Sequence, residues 1–358
     1  EKRVLQKELE GLRQSLSKTK EKGRKRQQAS STNVDVDGNG PQEGETSLAD
    51  DGLFVKRVGT IRSIYRLCVG TPRQGLLAPN ARGCIEMAKL GDASIVDSVS
   101  GLEGYSHVWI LFVFHLNTQS SRNSKRIKSK IAPPALGGGK VGIYATRTPH
   151  RYNPIGITLC KLDSIRVGNK NEVRLEVSGL DLVDGTPVLD IKPYVPVYDS
   201  VDGDVRLPHW VAGGLATKRR VEITDQARTE LVDILANNPN ALQFYGSKFG
   251  EATVENTVDY ACGCIEQVLA IDVRSSYQTK KSRQGKFQAE RSERLRDAVA
   301  GETMLPLDPD VCTQQLDNLL IQYKVQEAEV RKRATSENSG AEDVVRVISI
   351  ALMSNATS

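Results

Sequence analysis

Two loops of the sequence carry residue types suited to chemistry on a charged small molecule. The stretch Ala145-Thr-Arg-Thr-Pro-His-Arg-Tyr-Asn-Pro-Ile-Gly156 joins two strand-like runs and bears Arg147, His150 and Arg151 on a backbone stiffened by Pro149 and Pro154. A restricted loop of this kind fixes cations for carboxylate or phosphate contacts. The stretch Gly179-Leu-Asp-Leu-Val-Asp-Gly-Thr-Pro187 supplies Asp181 and Asp184 and runs into Asp190-Ile-Lys-Pro-Tyr194. Taken singly, each is explained by turn chemistry, with Asp184-Gly185 as a bend. Together they offer carboxylates, guanidinium groups and a phenol, with no Ser/His/Asp arrangement and no cysteine in either loop. Nucleophilic hydrolysis is therefore poorly supported.

Other motifs carry less. Gly137-Gly-Gly-Lys140 invites a phosphate-loop reading, but position 134 is Pro, Val141 follows the lysine, and a strand stands where a helix is required. A tight hairpin turn explains the glycines better. Cys262 and Cys264 have no second ligand pair at metal-site spacing, so no metal site is expected. Two basic clusters, Arg122 to Lys130 (with Lys125, Arg126 and Lys128) and Arg274 to Lys286, read equally well as solvated loops or as contacts for a polyanion.

The elements that must hold these loops read mostly as short strands. Val55 to Ile64, Arg82 to Met87, His107 to His115, Val141 to Thr146, Gly156 to Ile165, Val173 to Ser178 and Val188 to Val195 are strand candidates separated by Gly, Pro and Asn turns. Asp92 to Val99 and Leu102 to Tyr105 suggest short helical turns. This spacing predicts a closed or nearly closed antiparallel barrel, since residues 140 to 200 leave no room for the crossover helices of a dinucleotide-binding sheet. A loop is expected over Asp199 to Gly214, then helices over Thr224 to Asn237 and Val254 to Ala270; Leu316 to Val325 and Val344 to Leu352 fit strand or helix. The fold class is mainly β with an α+β C-terminal part.

The 358 residues, 39% hydrophobic and 26% charged, suffice for about two cores. No apolar run reaches the 18 or so residues that cross a bilayer, which excludes a spanning helix. Six thinly spread cysteines suit a reduced compartment, with the cytoplasm as the expected location and organelle or nucleus as alternatives. The net charge of +5 is unevenly placed: residues 1–27 carry ten bases and four acids, whereas residues 31–51 carry six acids and no base. Leu5, Leu9, Leu12 and Leu16 form one helical stripe, so residues 1–27 read as an amphipathic or coiled-coil helix with a partner through residues 5–16. Residues 28–52 read as a disordered linker, 53–200 as the barrel domain and 215–358 as the C-terminal α+β domain.

Several ordered blocks resemble a known family, the TrmO-like (TsaA-like) tRNA N6-adenosine methyltransferases. They are Gly59-Thr-Ile-Arg-Ser63, Thr71-Pro-Arg-Gln-Gly75, Gly101 through His115, Tyr144 to Gly156 and Leu180 to Tyr194. A weaker match at Ile265 to Tyr277 places Asp272, Arg274 and Tyr277 in the family's Asp-x-Arg pattern. The sequence departs from the family at Tyr152, where a proline is usual, and at the Ser/Lys-rich stretch 119–135.

The resemblance implies a β-barrel enzyme that uses S-adenosyl-L-methionine to methylate N6 of threonylcarbamoyl-modified adenosine 37 in tRNA, working as a homodimer. It implies a cofactor pocket of Pro72, Arg73, Gln74, His115, Leu116, Arg147, Leu159, Asp181, Asp184, Gly185 and Thr186. Asp184 then suits the cofactor's ribose or cationic groups, and Arg147 suits a carboxylate. Arg151, Lys192 and Tyr194 would hold the modified base, and Lys125, Arg126 and Lys128 the RNA backbone. The alternative from another class is a noncatalytic adaptor that keeps the barrel to bind RNA or protein. Such an adaptor would shed polar pocket residues first, yet Arg73, Gln74, Arg147, Asp181 and Asp184 are all present.

Overall fold

The barrel strands alternate inward and outward positions, with β-branched and other apolar residues such as Ile61, Ile85, Val108 and Ile110 on the inward face. They are β1 (Gly59–Ser63), β2 (Arg82–Met87), β3 (His107–Val113), β4 (Ile155–Val167), β5 (Val173–Ser178) and β6 (Pro187–Pro193). The computed structural model describes residues 46–47, 54–67, 71–72, 74–91, 93–117, 128–169, 172–216, 219–251, 253–271, 311–326 and 343–353. In the order β6-β1-β2-β5-β4-β3 the six strands close into a barrel, every neighbouring pair antiparallel. Ile61, Ile85, Val108, Ile110, Cys160, Leu175, Val177 and Val188 fill the interior. Gly156 makes room there for its cross-strand partner Phe112, because a Cβ at 156 would lie 2.2 Å from the ring.

The chain continues through helix α1 (His209–Ala216), strand β7 (Arg220–Ile223), helices α2 (Asp225–Asn237) and α3 (Val254–Ala270), and strands β8 (Val311–Leu316), β9 (Leu319–Gln326) and β10 (Val344–Leu352). Thr224 and Thr253 cap α2 and α3, their hydroxyls accepting from the N–H groups of Ala227 and Asn256. The sheet order is β7-β10-β9-β8, with β7 parallel to β10 and the others antiparallel. Leu231, Leu235, Val258 and Ile265 of the helices pack on Ile321, Val345 and Val347 of this sheet, and the same core takes in Ile64, Tyr65, Ala78 and Ala81 from the β1–β2 connection. One segment of the barrel's loops is thus built into the second core.

Several expectations change or become definite. Only Val141–Gly142 of the run read as a strand pairs, with Lys130–Ile131, and a 3-10 turn over Ile143–Ala145 follows. Thr146 closes that turn by donating its hydroxyl to the Ile143 carbonyl and leaves Tyr144 in solvent. The expected loop over Asp199 to Gly214 contains the start of α1, whose first N–H groups bond the Pro208 carbonyl. Of the two ambiguous runs, Val344 to Leu352 is the strand β10, and Leu316 to Val325 holds the end of β8, a two-residue turn and most of β9, with Ile321 and Ile350 facing each other and burying together. Thr46–Ser47, inside the expected linker, pairs with Phe54–Val55. The N-terminal leucine stripe, the cluster at 274–286, the Asp272–Tyr277 pattern, Arg73, Lys125 and Arg126 lie outside the described residues.

Candidate functional site at the barrel mouth

The antiparallel registers send three connections out of one end of the barrel. Ser63 lies opposite Gly83, Arg82 opposite Ser178, Val113 opposite Ile155, and Pro187 opposite Thr60. The described residues of 64–81, 114–154 and 179–186 therefore gather at a single mouth.

The 179–186 loop lies along its neighbours almost as a further strand. The N–H groups of Gly179, Leu180, Asp184 and Gly185 donate to the carbonyls of Pro79, Ala81, Tyr65 and Ile61, and Ile61 N–H donates back to Thr186. At the approach of Gly75 to Gly179 no side chain fits: a Cβ at 75 would stand 1.8 Å from the Gly179 oxygen. Leu180 and Leu182 point into the barrel core.

Asp181 follows from that packing. Its Oδ1 is buried with no hydrogen-bond partner in the protein. Burial pushes its carboxyl up to about 6, against the opposing pull of the Thr158 hydroxyl and the Arg147 charge. Thr158 is itself buried, on the inward column of β4. An unpartnered buried carboxylate oxygen is costly, and it suits a site that receives a cation or a hydrogen-bond donor. Arg147 is exposed and donates to Gln74 Oε1 at 2.6 Å, joining the 114–154 and 64–81 connections. His115 sits against Gly185, and burial lowers its pKa by disfavouring the charged imidazolium.

Asp184 has other partners. Its Oδ1 accepts from Ser63 N–H at 3.0 Å, and its Oδ2 pairs with Arg66 at 3.0 Å and lies 3.7 Å from Arg62. Both oxygens hold the loop to β1, so the carboxylate open to a ligand here is that of Asp181. Thr186 is likewise inward, with its hydroxyl on the Val183 carbonyl.

The mouth thus brings together Pro72, Gln74, His115, Leu116, Arg147, Asp181, Asp184, Gly185 and Thr186. Arg151 is at the same end, but its guanidinium donates to the carbonyls of Ile143 and Thr146 and stacks on Tyr144, so it shapes the loop. Leu159 faces outward on β4 opposite Trp109. Lys192 and Tyr194 stand at the far end of β6, where Pro193 pairs with Val108; Lys192 pairs with Asp190 and Tyr194 packs edge-on to His107 and Trp109. Lys192 and Tyr194, expected to hold the modified base, thus lie at the opposite end of β6 from Pro187, where the strand leaves the mouth. Lys128 is exposed in the segment before the short strand at Lys130.

A model of the tRNA-methyltransferase O N-terminal domain matches residues 60–200, which are the barrel and its mouth. A Pseudomonas aeruginosa protein described as the putative S-adenosylmethionine-dependent methyltransferase RcsF is 39% identical over 225 residues, covering 63% of this chain and 83% of that protein. The chain belongs to the tRNA-methyltransferase O family. The tRNA (adenine(37)-N6)-methyltransferase of Escherichia coli is 34% identical over 223 residues, covering 62% of this chain and 82% of the relative. The mouse protein of that description is 42% identical over 156 residues, 44% of this chain, and the chain spans only 34% of its length. The crystal structure of TrmO from Pseudomonas aeruginosa aligns with a TM-score of 0.50 at 29% identity, over 83% of this chain and 97% of that one.

Within this family barrel, sequence reasoning missed Thr158, Arg66 and the approach of Gly75 to Gly179. Thr158 carried a signal, a lone polar residue in the inward register of β4. The others meet partners more than 100 residues away.

Proposed function

We propose that this chain is an S-adenosylmethionine-dependent methyltransferase acting on N6 of adenine 37 in tRNA, with the threonylcarbamoyl-modified base as its substrate. The observation that carries the reading is the buried, unpartnered Asp181 oxygen at the barrel mouth, beside Arg147, in a chain of this family. The donor set fits the cofactor: an anionic oxygen for its ammonium or ribose hydroxyls, a guanidinium for a carboxylate, and Pro72 and Leu116 as apolar walls. Bound there, S-adenosylmethionine supplies a methyl group on a positively charged sulfur.

The chain's own residues then have separable tasks. Asp181 and Arg147 bind and orient, Gln74 fixes Arg147, and Asp184, Gly185 and Thr186 hold the loop that presents Asp181. Alignment in a site cleared of water is the main demand of an in-line displacement. A threonylcarbamoyl group adds a carboxylate and makes the N6 proton easier to remove; the Arg147 loop, stiffened by Arg151, is suited to reading that carboxylate. Homodimer formation is supported by an outward apolar strip in which Trp109 lies opposite Leu159 and Leu111 opposite Ile157, with Ile157 43% exposed.

Nucleoside analysis of tRNA methylated by the purified chain tests the activity. The expected product is the N6-methylated form of threonylcarbamoyladenosine, and none on transcripts lacking the modification. Equal methylation of both would remove the carboxylate-reading step, and no product on either would remove the activity.

A further inference from the structure

The mouth loop is held from behind by the C-terminal sheet. The turn between β8 and β9 is Asp317-Asn318, with Asp317 in the left-handed region at φ 53° and almost wholly buried. Its tip is wedged between two segments. On one side Asp317 N–H donates to the Ile64 carbonyl at 2.7 Å. On the other, Asp317 Oδ2 accepts from the N–H groups of Gln243 and Phe244 at 2.8 and 3.1 Å, and Asn318 Nδ2 donates to the Ala241 carbonyl.

Arg66 spans from this wedge to the mouth. Its Nη2 donates to Gln243 Oε1 at 2.6 Å, and its Nη1 pairs with Asp184 Oδ2 at 3.0 Å. Asp184 in turn is fixed to Ser63 N–H and to the Tyr65 carbonyl. A partly exposed ion pair of this kind adds little stability. A planar guanidinium that engages two partners on different elements fixes their relative geometry instead. Gln243 lies 177 residues from Arg66 in sequence, and that one side chain joins it to the loop that carries Asp181.

We propose that Arg66 is a positioning residue that couples the docking of the Asp317-Asn318 hairpin and the Gln243 segment to the shape of the 181–186 loop, so that the cofactor site is complete only while the C-terminal sheet is seated. The inference rests on the cofactor reading above for its consequence, and on the hydrogen-bond chain alone for its existence.

Two readouts on the full chain separate these. Hydrogen exchange at the amides of Ser63, Asp184 and Gly185 reports the loop without any ligand, and it should quicken in Gln243→Ala and in Arg66→Ala. Arg66→Lys keeps a cation beside Asp184 but cannot serve both partners, so it should exchange like Gln243→Ala. Unchanged exchange in Gln243→Ala overturns the relay. The second readout is the Kd for S-adenosylmethionine by calorimetry, expected to rise about five- to tenfold in Gln243→Ala, as couplings through side-chain networks do. In an Arg66→Ala background the same change should add nothing. Additive losses, or quickened exchange with an unchanged Kd, overturn the coupling to the site. No cofactor binding by the unsubstituted chain would defeat the proposed function, and the exchange result would still decide the relay.

Discussion

The two sides of the barrel mouth are built differently. The side formed by residues 64–81 and 179–186 is stitched into both cores: five backbone hydrogen bonds run between 179–186 and its neighbours, and Tyr65, Ala78 and Ala81 belong to the core beneath the C-terminal sheet. Among the described residues, the side formed by 114–154 carries bonds of its own, Phe114 to Pro154, Thr146 to Ile143, and Arg151 to the carbonyls of Ile143 and Thr146. Arg147 crosses from the second side to the first at Gln74. A rigid wall presenting Asp181 suits an invariant ligand such as a cofactor, and a self-braced loop suits the larger substrate that must enter and leave.

The sharpest way to break this contrast is Gly75→Ala. A methyl group there collides with the Gly179 carbonyl, which is backbone on a segment fixed from two sides and cannot yield. The expected loss of stability is about 3 kcal/mol, the upper end of overpacking costs, read as a lowered urea midpoint. A cost under about 0.5 kcal/mol would show that this wall relaxes as freely as an exposed surface site.

That close approach also marks the limit of what the sequence discloses. Arg82–Met87 and Val173–Ser178 form strands over the residues expected from the turn residues that bound them, and α3 covers Val254 to Ala270 as its apolar periodicity indicates. Ile143–Ala145 reads as strand from its Val-Gly-Ile-Tyr run, but strands exist only when paired, and no pattern within the run reveals the missing partner. The two charged loops are legible as loops. The roles of their carboxylates are not: Asp181 and Asp184 differ in partners at Thr158, Ser63 and Arg66, and nothing in the local sequence tells which of two aspartates three residues apart turns inward. Lys192 and Tyr194, assigned to the modified base through the resemblance, lie at the far end of β6, and a strand of seven residues carries its ends about 20 Å apart.

Titration tests the rigid wall next. Asp181 is pushed up to about 6 by burial, and so is Asp317, whereas an aspartate in the unfolded chain titrates near about 4. The folded chain therefore holds protons that the unfolded chain has released, and stability falls as pH rises from about 4 to about 6, then levels. Each group accounts for on the order of 3 kcal/mol of that fall. Asp181→Asn should remove about half of it, measured as urea stability against pH, and an undiminished slope would mean that the carboxylate is solvated. Cofactor affinity should move oppositely, improving as Asp181 ionises through the same window and losing that pH dependence in Asp181→Asn.

On the self-braced side, Arg147→Ala should spare the fold, because the side chain is exposed, and lower kcat/KM about 30-fold, or about 2 kcal/mol, as expected for one charge-assisted contact. Which Michaelis constant rises sharpens the comparison. A rise confined to S-adenosylmethionine assigns the guanidinium to the cofactor, while a rise confined to modified tRNA assigns it to the threonyl carboxylate. Stability lost in step with activity would place Arg147 with the rigid wall.

The smallest effect is expected farthest along the same side. Lys128 is exposed and precedes the strand that leads into the Arg147 loop, at the edge of the basic cluster that also contains Lys125 and Arg126. A lysine that meets a phosphate of the RNA backbone positions the substrate without reading its sequence, and it releases about one counterion on binding. Lys128→Ala should therefore weaken binding to modified and unmodified tRNA alike, about threefold at moderate salt, and make the slope of log affinity against log salt shallower by about 0.7 to 0.9. Turnover with saturating tRNA should hold, since no part of the cofactor site is touched. An unchanged salt slope would make this segment a bystander and shift phosphate binding elsewhere on the chain. A loss restricted to modified tRNA would instead carry recognition of the base itself out along the self-braced wall, beyond the mouth where Arg147 stands.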